Sequence, residues 1–168
     1  GMNSYIYETF EQLGRIPEHV IVPVGNGTLY IGVMKALEHL LESGAIDHFP
    51  KVIALQSELC DPLYEAVQQG KDDAVAVDVK PTIAEGIAIG KPLRAKVILA
   101  YAKKHDVTFI TAPENRLLAW REAMAKKGFY IEHTTAANFA AWEKYCEEHP
   151  GSTDVLITLC GAGIKSDH

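Results

Sequence analysis

Gly25-Asn26-Gly27-Thr28 is the stretch of this 168-residue sequence whose residue types and spacing could do chemistry. It directly follows the apolar run Val20-Ile21-Val22-Pro23-Val24 and directly precedes a segment of helical period that begins at Tyr30. A strand that breaks into glycines at a helix start exposes several unpaired backbone N–H groups in one concave patch. The helix dipole adds partial positive charge there. A phosphate can bind such a patch without lysine or arginine, because glycines let the backbone come close and adopt positive φ. Two phosphate motifs fail on spacing. A P-loop ends in Gly-Lys-Ser/Thr, which Thr28-Leu29 does not supply. A dinucleotide fingerprint needs G-x-G-x-x-G, whereas the next glycine after Gly27 is Gly32. A tight strand-to-helix turn that binds nothing has the same local sequence and stays open.

Other chemistries have less behind them. Cys60, Cys146 and Cys160 are far apart, with neither zinc-site spacing nor the density of a disulfide scaffold. The seven histidines are scattered, and none forms an H-x-x-x-H pair. No metal site is expected. A net charge of −6 repels a phosphate backbone, so general nucleic-acid binding is not expected either. No apolar stretch approaches the roughly 20 residues that span a bilayer, and no basic-then-apolar leader precedes the fold. A cytoplasmic protein without membrane contact is the expectation. Gly1 before Met2 reads as the remnant of a tag.

The elements that must position the loop follow from periodicity. Val20–Val24, Val52–Leu55, Val107–Ile110 and Val155–Leu159 are continuous apolar runs, as in strands of a parallel sheet covered on both faces. Tyr30, Val33, Met34, Leu37, Leu40 and Leu41 share one helical stripe that Gly44 ends. Asp61-Pro62 predicts an N-cap and first helical residue, and Pro92 predicts the opening of a helix through Val97, Ile98, Leu99 and Ala102. Thr111-Ala112-Pro113-Glu114 has capping-box spacing for a helix through Leu117, Trp120 and Met124 to Gly128. A last helix carries Ala137 to Tyr145 and ends before Pro150-Gly151. Residues 71–81 are the least regular piece. The alternation predicts one α/β domain over 1–168, three-layered, with a mostly parallel sheet flanked by helices on both faces.

Val22-Pro23-Val24-Gly25-Asn26-Gly27-Thr28-Leu29 resembles the cofactor-phosphate loop of fold-type II pyridoxal-phosphate enzymes, which include threonine synthase and the tryptophan synthase β chain. Three further segments resemble that family in the same order: Thr82-Ile83-Ala84-Glu85-Gly86-Ile87-Ala88, Glu132-His133-Thr134-Thr135-Ala136-Ala137 and Leu159-Cys160-Gly161-Ala162-Gly163-Ile164-Lys165. Tyr7–Gly14 resembles the helix before the phosphate-loop strand. Carried over, the resemblance implies that Gly25, Asn26, Gly27 and Thr28 cradle the phosphate of pyridoxal phosphate. The Thr28 hydroxyl would be an extra donor. It puts Cys160 beside the pyridine nitrogen, where a neutral side chain suits β-elimination and replacement chemistry, and Glu85 near the active site. Cys160 as a buried small residue and Glu85 as a turn cap remain the plain alternatives. His133 departs from the family's proline, and Asn138 from a more usual small residue.

The resemblance also implies a Schiff-base lysine in an N-terminal segment, and nothing in these 168 residues resembles that segment. The twelve lysines lie in helices, turns or charged runs such as Lys103-Lys104, as on solvated faces. A lysine anchors the cofactor and shuttles protons. The expectation is therefore a threonine synthase-like lyase fragment, inactive alone, competent with an N-terminal partner chain. The other function class is a non-catalytic module that binds a phosphate-bearing small molecule and folds by itself. An apolar face left by half of a two-domain enzyme finds a partner, so a homodimer or hetero-complex is expected.

Overall fold

The computed structural model describes residues 4–25, 27–75, 80, 92, 94–128 and 133–157, with the side chains of residues 4, 5, 133 and 134 left aside. In chain order the elements are α1 (Ser4–Leu13), β1 (His19–Pro23), α2 (Thr28–Glu42), β2 (Lys51–Ser57), α3 (Pro62–Gln69), α4 (Ala95–His105), β3 (Thr108–Ala112), α5 (Glu114–Lys126), α6 (His133–Glu148) and β4 (Val155–Ile157). The four strands form a parallel sheet in the order β3-β2-β1-β4, with Ile21 opposite Ile53 on one side and Ile157 on the other.

Each apolar run serves two cores because successive side chains point to opposite faces. Val20, Val22, Val52, Ala54 and Phe109 join Tyr30, Met34, Leu37, Leu63 and Ile98 in the core under α1 to α4. Ile21, Ile53, Leu55 and Ile110 join Leu117, Ala137, Ala141 and Tyr145 in the core under α5 and α6. Both faces are thus covered, and the domain has three layers.

The strand order has a functional consequence. From β1 the chain steps outward through β2 to β3 with its helices on one face. It then crosses by α5 and α6 on the other face to place β4 beside β1. That reversal of direction is a topological switch point, and ligands of open α/β sheets bind beside it at the carboxyl ends of the strands. The turn after β1 lies there.

Two local expectations are corrected. Thr111 does not cap α5: it sits in β3, where its hydroxyl takes a hydrogen bond from the Lys144 ammonium at 3.1 Å. Pro113 precedes the helix, and the Glu114 amide donates instead to Glu58 Oε1 at 3.0 Å. A carboxylate brought in by the sheet replaces the local cap. Lys144 is accordingly half-buried rather than solvated. Likewise α4 begins at Ala95 rather than at Pro92, with Arg94 as its flanking residue. The expected N-cap Asp61 and first-turn Pro62 are in place, although the Asp61 side chain makes no capping bond. Gly44 adopts φ 79 after α2, as a left-handed stop requires.

Candidate functional site

The turn between β1 and α2 is built by packing on both sides. Val24 continues the β1 ladder by donating to the Leu55 carbonyl at 3.0 Å, and Gly27 takes φ 91 before the first residue of α2. Gly27 is needed there twice over. Its backbone lies in the left-handed region, and a Cβ would run into the Ile98 side chain of α4. Tyr30, buried in the first turn of α2, ties the same place down by donating to the Ile98 carbonyl at 3.1 Å. Burial pushes the Tyr30 hydroxyl up, well above the usual phenol range, so it stays a neutral donor.

Among the described residues, no acceptor takes the amides of Gly25, Gly27, Thr28 or Leu29. The first hydrogen bond of α2 is from the Ile31 amide to the Gly27 carbonyl, 2.8 Å. Gly25 and Gly27 are buried, and an unpaired buried N–H is costly, so this turn favours an acceptor brought from outside. The first turn of α2 carries no acidic residue that would compete for the positive end of the helix. The donor set therefore suits the phosphate of a cofactor such as pyridoxal phosphate, held by amides rather than by a lysine.

Of the residues singled out in the sequence, the structure places Gly25, Gly27 and Thr28 together in this turn. Asn26, Glu85 and Cys160 lie outside the described residues, as do the segments 81–91 and 158–168. Arg94 was missed. Its Nη1 stands 3.4 Å from Thr28 Oγ1, although 66 positions separate the two residues. No local signal marks it, since an arginine beside a helix start is ordinary and only the docking of α4 brings it to the turn.

Cys60 and Cys146 are not activated thiols, because burial pushes both up. Among the described residues no group of three His, Cys, Asp or Glu side chains could hold a metal, and no helix is long and apolar enough to cross a membrane. A groove at the opposite edge of the sheet is lined by Gly14, Arg15, Ile46 and His48. Its arginine is already engaged by Asp154 through bonds of 2.7 and 2.9 Å.

Comparison with known proteins follows the same outline. The family described as pyridoxal-phosphate dependent enzymes matches residues 1–161. The threonine synthase of Methanocaldococcus jannaschii is 29% identical over 98% of this chain and 42% of its own length. The L-threonine ammonia-lyase of Thermotoga maritima is 35% identical over 55% of this chain and 21% of its own. This chain thus spans about two fifths of the length of the threonine synthase it matches. A fungal L-serine ammonia-lyase from Rhizomucor miehei has the same fold, with a TM-score of 0.78 at 20% identity, over 96% of this chain and 51% of that one.

Proposed function

Since this chain belongs to the pyridoxal-phosphate dependent enzyme family, we propose that it is the cofactor-phosphate-binding part of a threonine synthase-like enzyme. The reaction class is elimination or replacement at the β or γ carbon of an amino acid. The observation that carries the reading is the turn at the switch point between β1 and β4, with amides of Gly25, Gly27, Thr28 and Leu29 undonated among the described residues. The likeness to threonine synthase along 98% of the chain supports the choice within the family.

Pyridoxal phosphate, when bound, supplies the electron sink for that chemistry. The chain's own residues supply binding. Gly25, Asn26, Gly27 and Thr28 hold the phosphate by backbone amides, and the Thr28 hydroxyl adds a donor. Cys160, three residues beyond the end of β4, accompanies the pyridine nitrogen as a neutral neighbour. Glu85 lies near the same site. Proton transfer at the substrate belongs to a lysine-bearing segment, whether continuous with these residues or on a separate chain. The 168 residues form one domain. By themselves they hold the cofactor weakly, do not turn over an amino acid, and associate as a dimer or with that segment in the cytoplasm.

The test is reconstitution. Mixed with a lysine-bearing N-terminal part of a threonine synthase-like enzyme, the chain should acquire the visible absorbance of bound pyridoxal phosphate, and borohydride should bleach it. A mixture that binds cofactor through the loop yet never gains that chromophore would leave a non-catalytic phosphate-ligand module. A mixture that binds no phosphate at all would end the cofactor reading.

A further inference from the structure

We propose that Arg94 is a second, charged ligand for the phosphate held by the Gly25–Thr28 turn, and that it sets the Thr28 hydroxyl as a donor toward that phosphate. The inference rests on the proposed function in locating the phosphate at the turn. It goes further in naming a side chain that makes the site prefer a dianion over a neutral ligand.

Three contacts bring α4 to the turn. Ile98 packs against Gly27, the Ile98 carbonyl accepts from Tyr30, and Arg94 reaches Thr28. Because α4 runs back toward the start of β3, its first turn lies at the carboxyl edge of the sheet, beside the first turn of α2. Neither first turn carries an acidic residue. Arg94 makes no ion pair among the described residues, and its only hydrogen bond there is the 3.4 Å contact with Thr28 Oγ1. In a chain of net charge −6, a guanidinium that pairs with no described carboxylate, beside amides that no described acceptor takes, is positive charge placed to meet an anion.

The chemistry of the pair defines the role. A guanidinium only donates, so in this contact Thr28 Oγ1 accepts. The hydroxyl proton then remains for another acceptor. A phosphate oxygen at the turn would meet the backbone amides, this proton and the free edge of the guanidinium, and charge-assisted bonds of that kind are the stronger ones. Thr28 and Arg94 are both exposed, so an incoming anion can reach them and their substitution removes little packing.

The experiment uses the 168-residue chain, titrated with pyridoxal phosphate, pyridoxal and inorganic phosphate by calorimetry and by phosphorus line width. Arg94→Gln is expected to weaken both phosphate-bearing probes about tenfold and to leave pyridoxal unchanged, with Arg94→Lys in between. Thr28→Val should weaken them too, and adding it to Arg94→Gln should cost less than the two single losses combined. Thr28→Asp, which places a carboxylate at the turn, serves as the control for the site. If Arg94→Gln binds phosphate within about twofold of the unmodified chain while Thr28→Asp does not bind, Arg94 is idle and the loop reading stands. Equal weakening of pyridoxal and pyridoxal phosphate by Arg94→Gln also overturns the proposal. If neither the unmodified chain nor its mixture with the lysine-bearing part binds a phosphate-bearing probe up to millimolar concentration, both the proposal and the loop reading fall.

Discussion

The helices that follow β1, β2 and β3 start at one edge of the sheet, and the chain treats those three starts differently. At α3 the buried Gln56 side chain accepts from the Leu63 and Tyr64 amides at 2.9 and 3.0 Å. At α5 the Glu58 carboxylate takes the Glu114 amide. Each of these helices also has an acidic residue in its first turn. At α2 there is no side-chain cap, no acid, and a run of amides that nothing described accepts. Unsatisfied helix starts are a general cost that side chains usually relieve. Two starts are closed by residues of β2 and the turn just after it, and one is left open beside the switch point. That open donor set is the feature on which the proposed phosphate site rests.

The opposite edge of the sheet extends the comparison. There β1 and β4 begin under a clasp: Arg15 pairs with Asp154, whose carboxylate also accepts the Glu18 amide at 3.0 Å, and His19 Nδ1 meets the Thr153 carbonyl at 2.8 Å. Asp154 holds φ 62, unusual for a non-glycine residue, and the bonds around it stabilise that conformation. The same two strands are stitched where they start and left free of such a clasp, among the described residues, where β1 ends.

The largest expected effect comes from opening a closed start. Gln56→Ala removes the one oxygen that accepts two amides, and a fully buried side chain, so it should cost about 2–4 kcal/mol, read from the denaturant midpoint at unchanged slope. A loss under about 0.5 kcal/mol would show that capping at α3 is not what Gln56 does. Closing the open start should do the reverse. Thr28→Asp puts a carboxylate at the first position of α2, where it should raise stability by about 0.3–1 kcal/mol, seen as a higher melting temperature. A lower melting temperature would mean that the amides of α2 are not available. Here stability and phosphate binding should move in opposite directions.

The smallest effect concerns the clasp and appears only in acid. The hydrogen bond from Arg15, then that from the Glu18 amide, hold the Asp154 carboxyl below its usual range. A carboxyl whose native value is depressed stabilises the fold above its unfolded value, near 3.9, and loses that contribution as pH falls through the native value. Arg15→Gln should therefore lower stability slightly at neutral pH and flatten its decline below about pH 4. An acid limb identical to that of the unmodified chain would detach Asp154 from the clasp.

Much of this was legible in the residues. The four continuous apolar runs became the four parallel strands, because a strand covered on both faces has no position where a polar side chain is favoured. The helix stops at Gly44 and Gly128 also followed from residue type, since both adopt positive φ. The loop was legible for the same reason: glycines directly between a buried strand and an amphipathic helix leave few other conformations. The cap of α5 was misread because Thr111-Ala112-Pro113-Glu114 satisfies a local pattern while β3 claims the threonine and a distant glutamate takes over the amide.

Composition and order along the chain thus determined the element types, the two-sided sheet and a glycine turn able to meet an anion. Tertiary structure alone decided that β4 sits beside β1, that Ile98 demands a glycine at position 27, and that Arg94 stands over Thr28. Periodicity and turn chemistry are properties of neighbouring residues and can be read in sequence. Strand order and contacts across 66 or more positions arise when separate apolar faces share a core, and no local pattern encodes which faces will meet.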